Sequence, residues 1–320
     1  MLVPDHDQIE ADLITDTSLD GRILVVEGGV VVLEYVFRPD DPVVESPRPY
    51  AKLYSLAGQA VTGHRPDDHP WHKGFSLALP NVGKHNFWGG PTYVRGQGYI
   101  QLDNNGSQVH RTFTRLGDQD GIAGFEELLD WKTESGETIL TERRAVSARR
   151  LDSRATAAWS LSWSSLLVNT SAHPITFSSP SAEGRESAGY AGLFWRGPES
   201  FTGGAIESPD GLVGETARGR RYPWLAYQAP HDDVGVLVVD ANPQVASLWF
   251  ARSEQLAGLC ATPFYNAGTE VPSGEAMRFA AVVTIGDRHV RVSSITASVD
   301  LAQKLRAERA TPSAVEKRSC

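Results

Sequence analysis

Four histidines, His64, His69, His72 and His85, fall within the stretch HRPDDHPWHKGFSLALPNVGKHNFWGG at residues 64–90. Imidazole titrates near neutral pH, so such a cluster can act as general acid and base, donate to a sugar hydroxyl, or ligate a metal. His69 and His72 form the compact pair, and Pro70 between them disfavours a regular helix presenting both rings on one face. Asp67 and Asp68 precede them. An aspartate beside an imidazole can fix its tautomer, and equally can form an Asx-turn ahead of Pro70. Lys73 follows with a cation. Asn86, Phe87, Trp88, Gly89 and Gly90 then bring together an amide, two aromatic faces and backbone that a ligand can approach closely.

A second concentration is SAEGRESAGYAGLFWRGP, residues 181–198, where Glu183, Arg185, Tyr190 and Arg196 sit among glycines and rings. Charges embedded among small residues suggest a concave polar site, in which Arg185 or Arg196 forks onto a carboxylate or vicinal hydroxyls. The alternative is an internal pair of one arginine with Glu183 or Glu186. Trp224 in RYPWLAY adds a further ring, and Arg252 and Glu254 in FARSEQLAG lie near an expected strand end. Glu126, Glu127 and Glu142 are other candidate bases; on a strand Glu126 and Glu127 face opposite sides, so at most one can serve a given site.

Several chemistries are not indicated. The sequence has no GxxxxGK[ST] stretch, no GxGxxG opening a helix after a strand and no GxSxG elbow, so no nucleotide or other organic cofactor is expected. With 30 Lys and Arg against 39 Asp and Glu, the formal net charge is −9, which argues against nucleic acid or an anionic membrane surface as partner. Two cysteines, Cys260 and Cys320, supply no disulfide framework and no thiolate metal site. The N-terminal MLVPDHDQIEADLI carries acids where a signal peptide carries cations, and no run reaches ~18 apolar residues. The expectation is a cytoplasmic protein without membrane spans; self-association into a homo-oligomer is left open.

The elements that must hold these residues read as strands. Val25 to Val36 is rich in β-branched residues around a Gly28-Gly29 turn, a hairpin or bulged pair. Similar runs recur at Tyr99 to Leu102, Val109 to Leu116, Thr138 to Val146, Ala157 to Val168, Ile175 to Phe177, Val234 to Val239, Ala246 to Phe250 and Met277 to Ile285. A helical pattern appears only at Asp300 to Arg309. The expected fold is all-β, a large antiparallel sandwich with a short C-terminal helix. One domain is expected over 1–309 with a frayed tail at 310–320.

DDHPWHKG with NFW downstream, then EGRESAGYAGLFWRGP, then NPQVASLWFARSEQLAGLCATPFYN resemble the bacterial DUF6807 family, often labelled PmoA-like, over roughly residues 50 to 285. The methane-oxygenase connotation of that label has no support here, for want of membrane spans and of a copper-site context. The resemblance implies a galactose-mutarotase-like supersandwich and a role in sugar metabolism. The family's DHPHHRG-like stretch matches Asp68, His69, Pro70, His72 and Gly74, with Trp71 and Lys73 standing where histidine and arginine are common; lysine keeps the charge but lacks the planar fork.

The leading expectation is an enzyme acting on a small sugar or an oxidised 3-keto glycoside, by elimination, hydrolysis or epimerisation. His69, His72 and Glu183 supply acid and base, and His64, Lys73, Asn86, Trp88, Arg185, Tyr190, Arg196 and Trp224 bind substrate. No metal is assigned. Two alternatives stand beside it: a non-catalytic carbohydrate-binding protein using Trp88, Trp195 and Trp224, and a cupin-like metal enzyme using His64, His69 and His72.

Overall fold

A computed structural model describes residues 14–16, 20–119, 122–151, 157–231, 233–243, 247–287 and 292–307. Among these, two large antiparallel sheets dominate. The eight-stranded sheet runs, in spatial order, Ile14–Asp16, Arg22–Glu27, Val30–Val36, Tyr50–Leu53, Phe75–Ala78, Gly192–Arg196, Gly258–Thr262 and Leu248–Arg252. The nine-stranded sheet runs Gly211–Leu212, Ala205–Ser208, Trp224–Gln228, Val234–Asp240, Ala276–Asp287, Ala158–Asn169, Thr138–Leu151, Ile122–Lys132 and Ser107–Gln119. The expected all-β fold is what the chain adopts. At the expected hairpin, Gly28 and Gly29 take φ of 55° and 84°, the left-handed pair that a two-residue turn between right-twisted strands needs.

Period-2 alternation decides which residues the sheets share. Tyr35, Phe75, Leu193 and Trp195 of the first sheet enter one buried cluster with Phe125, Trp131, Trp163 and Val236 of the second. Trp163 meets Tyr35 at 5.8 Å and Phe75 at 5.5 Å between ring centroids, joining the layers edge-on. The alternate positions of Val234–Asp240, Leu237 and Val239, face the other way and are covered by the C-terminal helix. A strand buried on both faces reads as a continuous apolar run, as VGVLVVD does.

That helix spans Val292–Ala307, starting earlier than the expected Asp300. Its first half, VSSITASVD, has weak intrinsic helix propensity. Packing overrides this: Ile295, Val299, Leu301, Ala302 and Leu305 lie on Leu237, Val239 and Val282. No described helix is long and apolar enough to cross a membrane. The expected tail at 310–320 lies outside the described residues.

Between the sheets lies a buried polar network. The Arg144 guanidinium forks onto Glu142 at 2.7 and 2.8 Å and reaches Tyr35 Oη and Gln108 Oε1, both at 2.9 Å. Glu142 also accepts from Trp131 Nε1 at 2.7 Å, and Glu127 binds Tyr35 Oη and, at 2.7 Å, His110 Nδ1. Glu126, one position earlier, faces outward to Arg143 at 2.7 Å, as strand alternation requires. Glu127 and Glu142 are thus fully enclosed core groups, engaged with Arg144, Tyr35, His110 and Trp131.

Candidate active-site cleft

The outer face of the eight-stranded sheet carries the site. In Gly192–Arg196, Leu193 and Trp195 point into the shared core while Phe194 points out; in Leu248–Arg252, Trp249 and Ala251 point in and Phe250 out. Phe194 and Phe250 join Ala78, Trp88, Cys260 and Tyr265 in a separate cluster, with Trp71, Tyr190 and Leu248 packed against it. The loops bearing the two motif stretches fold over this face. They leave a cleft of about 360 Å³, within the ~300–1,000 Å³ range of small-molecule sites. It is lined by His69, Trp71, His72, Trp88, Gly89, Pro91, Tyr99, Arg185, Tyr190, Phe194, Phe250, Arg252, Gln255 and Leu256.

His69 and His72 stack with centroids 4.8 Å apart and planes 21° off parallel. Trp88 and Phe194 meet the His72 ring edge-on at 5.8 and 5.3 Å. His72 is only 5% exposed. Burial, reinforced by the His69, Arg196 and Arg48 charges, pushes its pKa well below the ordinary imidazole value, so it is neutral at neutral pH. Asp68 Oδ2 lies 2.9 Å from His69 Nδ1, off the axis that an aligned N–H bond would need. Contact with His69 holds the Asp68 carboxyl below the usual carboxylate range. The pair therefore couples a desolvated neutral imidazole to one bordered by an ionised carboxylate, an asymmetry suited to proton transfer in opposite directions.

A tyrosine pair adds polar groups to the lining, Tyr190 from the second motif and Tyr99 from the strand Gly98–Ile100. Tyr190 Oη and Tyr99 Oη lie 2.6 Å apart, and burial raises the pKa of both phenols, so both stay protonated. One hydroxyl donates to the other, which leaves one O–H for a ligand. Tyr190 also packs on Trp88 at 4.4 Å, closing an aromatic corner over the histidines.

Arg48, 1% exposed, positions the aromatic loops. Its Nη2 donates to the Trp71 carbonyl at 2.8 Å and its Nη1 to the Trp88 carbonyl at 2.9 Å, tying two walls of the cleft together. The glycines serve the same packing. A Cβ on Gly90 (φ 66°) would stand 2.7 Å from Trp71 ring atoms, and one on Gly89 (φ 103°) would stand 2.5 Å from the Glu45 carbonyl oxygen. The close approach expected of a ligand is thus made by Trp71. Gly90→Ala is expected to cost about 1–3 kcal/mol through left-handed strain and displacement of Trp71, and to weaken ligand binding. Urea unfolding and tryptophan fluorescence measure both effects.

Comparison with known proteins decides the family. The family described as "Family of unknown function (DUF6807)" matches residues 22–300. The chain belongs to the DUF6807 family. No curated protein matches it. Among solved structures, the Slr1438 protein of Synechocystis sp. PCC 6803 is similar at 11% identity and a TM-score of 0.39, covering 90% of this chain and 100% of that one. A heparan sulfate lyase HepC mutant from Pedobacter heparinus is similar at 9% identity and TM-score 0.38, over 86% of this chain and 36% of the lyase. An alpha-galactosidase from Lactobacillus brevis gives 8% and 0.37, over 87% and 39%. The chain spans well under half the length of the latter two proteins.

In this DUF6807 protein the cleft gathers His69, His72, Trp88, Arg185 and Tyr190 of the residues singled out from sequence. The others are placed elsewhere. Glu183 turns away to accept a 2.8 Å bond from Ser178 Oγ and does not line the cleft. Lys73 is fully buried between Asp41, at 2.8 Å, and Glu45, which Arg65 also forks, so its charge is consumed inside the protein. Burial works against ionisation of Glu45, yet Arg65 and Lys73 hold its carboxyl below the ordinary value. Asn86 shapes the aromatic turn, its Oδ1 accepting from the Trp88 and Gly89 amides at 2.8 and 3.0 Å. Arg196 is not among the lining residues and donates to the Gly197 and Ala257 carbonyls at 3.1 Å. Trp224 is in the other sheet, packed against the cluster under the C-terminal helix, and Trp195 is in the shared core.

His64 stacks on Tyr50 at 4.7 Å, and among the described residues no three His, Cys, Asp or Glu side chains group to hold a metal ion. Burial, then the Lys52 and Lys73 charges, push the His64 pKa down to about 4. Between about 4 and the unfolded value near 6.5 the unfolded chain therefore binds a proton that the folded one does not. Stability is expected to fall as pH drops through that window, and His64→Phe to flatten part of the fall. Denaturant unfolding at pH ~7 and ~5 compares the two.

The cleft residues to which sequence reading gave no site role are Trp71, Tyr99, Pro91, Phe250, Arg252, Gln255 and Leu256, Arg252 being noted there only as lying near an expected strand end. A signal for two of them was present. LWFAR alternates Trp249 and Ala251 with Phe250 and Arg252, which marks an apolar and cationic outer face on a buried strand.

Proposed function

We propose that the cleft binds a sugar or glycoside and that the stacked His69–His72 pair performs acid/base chemistry on it. His72, neutral and desolvated, takes the proton; His69, bordered by Asp68, delivers one. Trp88, Tyr190 and Phe250 offer ring faces for the apolar side of a pyranose, and the Tyr99–Tyr190 pair offers a hydroxyl donor. The observation that carries this reading is the stacked imidazole pair at 4.8 Å in an aromatic cleft.

The lining contains no aspartate or glutamate among the described residues. Glycosidic hydrolysis by paired carboxylates needs two flanking the bond, so epimerisation or elimination by proton transfer suits these walls better. The motif resemblance to DUF6807 proteins, with its implied sugar setting, agrees with this choice.

The test is incubation of the purified chain with free sugars, glycosides and 3-keto glycosides, followed by NMR in heavy water. Product formation or solvent deuterium at a sugar carbon, lost in His72→Phe, is the expected result. Binding without turnover across the panel supports a non-catalytic carbohydrate-binding protein instead.

A further inference from the structure

The protein carries a formal net charge of −9, yet the cleft lining has Arg185, Arg252, His69 and His72 and no carboxylate among its described residues. The local balance is the reverse of the global one. An acidic surface elsewhere discourages anions, so a cationic hollow is the place where one is admitted.

Neither guanidinium is committed to a strong internal pair. Arg185 lies over the Tyr99 ring, its Cζ 4.8 Å from the centroid, with no carboxylate partner among the described residues. Arg252 lies 3.8 Å from Glu215, but that carboxylate is already engaged by Arg218 at 2.7 Å and by the Ser253 and Glu254 amides at 2.8 and 3.0 Å. Arg252 also sits over the Phe250 ring, 5.9 Å from its centroid. A cation held over a ring face by cation–π attraction keeps its N–H groups available to fork onto a carboxylate. Asp68, the acid bordering His69, is outside the lining and is engaged by that imidazole.

We infer, resting on the sugar reading above, that the ligand is an anionic sugar of the hexuronate class, its carboxylate held by Arg185 and Arg252 and its ring against Trp88 and Tyr190. The chemistry that recognises it is a planar anion meeting two guanidiniums, each set over an aromatic ring, beside an aromatic wall.

The experiment is a set of ligand-observed NMR titrations of the full chain with glucuronate, galacturonate and mannuronate, each against its neutral hexose, at low salt and at about 0.5 M salt. At least one hexuronate is expected to bind at least about tenfold more tightly than its hexose. High salt should narrow the gap, and combined Arg185→Met and Arg252→Met should remove it while the melting temperature stays near that of the parent. Equal affinities within every pair, or a gap that survives the double replacement, overturn the charge inference and leave the sugar reading standing. Failure of every hexose and hexuronate to bind overturns the hexuronate inference, and failure of glycosides and 3-keto glycosides to bind as well overturns the sugar reading. Should the double variant not fold, a wild-type gap insensitive to salt is the overturning result.

Discussion

Replacing His72 with phenylalanine is expected to lower turnover of the cleft's substrate by about 10²–10⁴-fold while changing sugar affinity only several-fold. The ring is 5% exposed between Trp88 and Phe194, so phenylalanine preserves the packing and removes only the proposed proton acceptor. His69→Gln should lose turnover as well, since it removes the second proton carrier and the partner of Asp68. The pH profile separates a base at His72 from a merely structural ring. Burial keeps His72 unprotonated well below 6.5, so the acid limb of kcat/KM is expected below that value. An acid limb at or above it, or full turnover in His72→Phe, would remove His72 from the chemistry.

The second large effect is on stability. Arg144→Met is expected to destabilise the fold by about 3–5 kcal/mol, a large share of the ~5–15 kcal/mol available to a typical protein. The replacement matches the stem but leaves Glu142 and Glu127, both fully enclosed, without their shared cation. Arg143→Met is the control. Its side chain is 47% exposed and its pair with Glu126 is solvated, so the loss should stay within about 0.5 kcal/mol. Urea denaturation of the two variants gives the comparison directly, and equal losses would mean that the buried network contributes little. Adjacent arginines in one strand are thus expected to differ several-fold or more in their contribution, because alternation sends one between the sheets and the other to water.

The positioning of the cleft adds a third dependence, on Arg48. Burial lowers its pKa to about 10, which still leaves it charged at neutral pH. Its guanidinium bridges the Trp71 and Trp88 carbonyls, so the two loops that carry the aromatic walls are tied by one cation bonded to their backbone. Side chains on loops gain the precision of a strand only when such a tether exists.

Much of this protein was written locally in its sequence. Period-2 runs of β-branched and aromatic residues determined an antiparallel all-β chain, because strand alternation is a property of neighbouring residues. The Gly28-Gly29 turn and the opposed facing of Glu126 and Glu127 follow from the same local geometry. The two motif stretches also announced themselves by composition, and five of the candidate site residues chosen from them, His69, His72, Trp88, Arg185 and Tyr190, do meet in one cleft. What only the tertiary structure decided is which partner each charge found. Lys73 met Asp41 and Glu45, Glu183 met Ser178, and Arg252 kept only a 3.8 Å contact with Glu215, which Arg218 holds at 2.7 Å. Pairings of that kind depend on which strands lie side by side, such as Gly192–Arg196 between Phe75–Ala78 and Gly258–Thr262, and no local pattern encodes them. The helix start at Val292 and the partial burial of Trp224 against the same cluster were likewise set by a sheet face needing cover, a demand that arises only once the sheet exists.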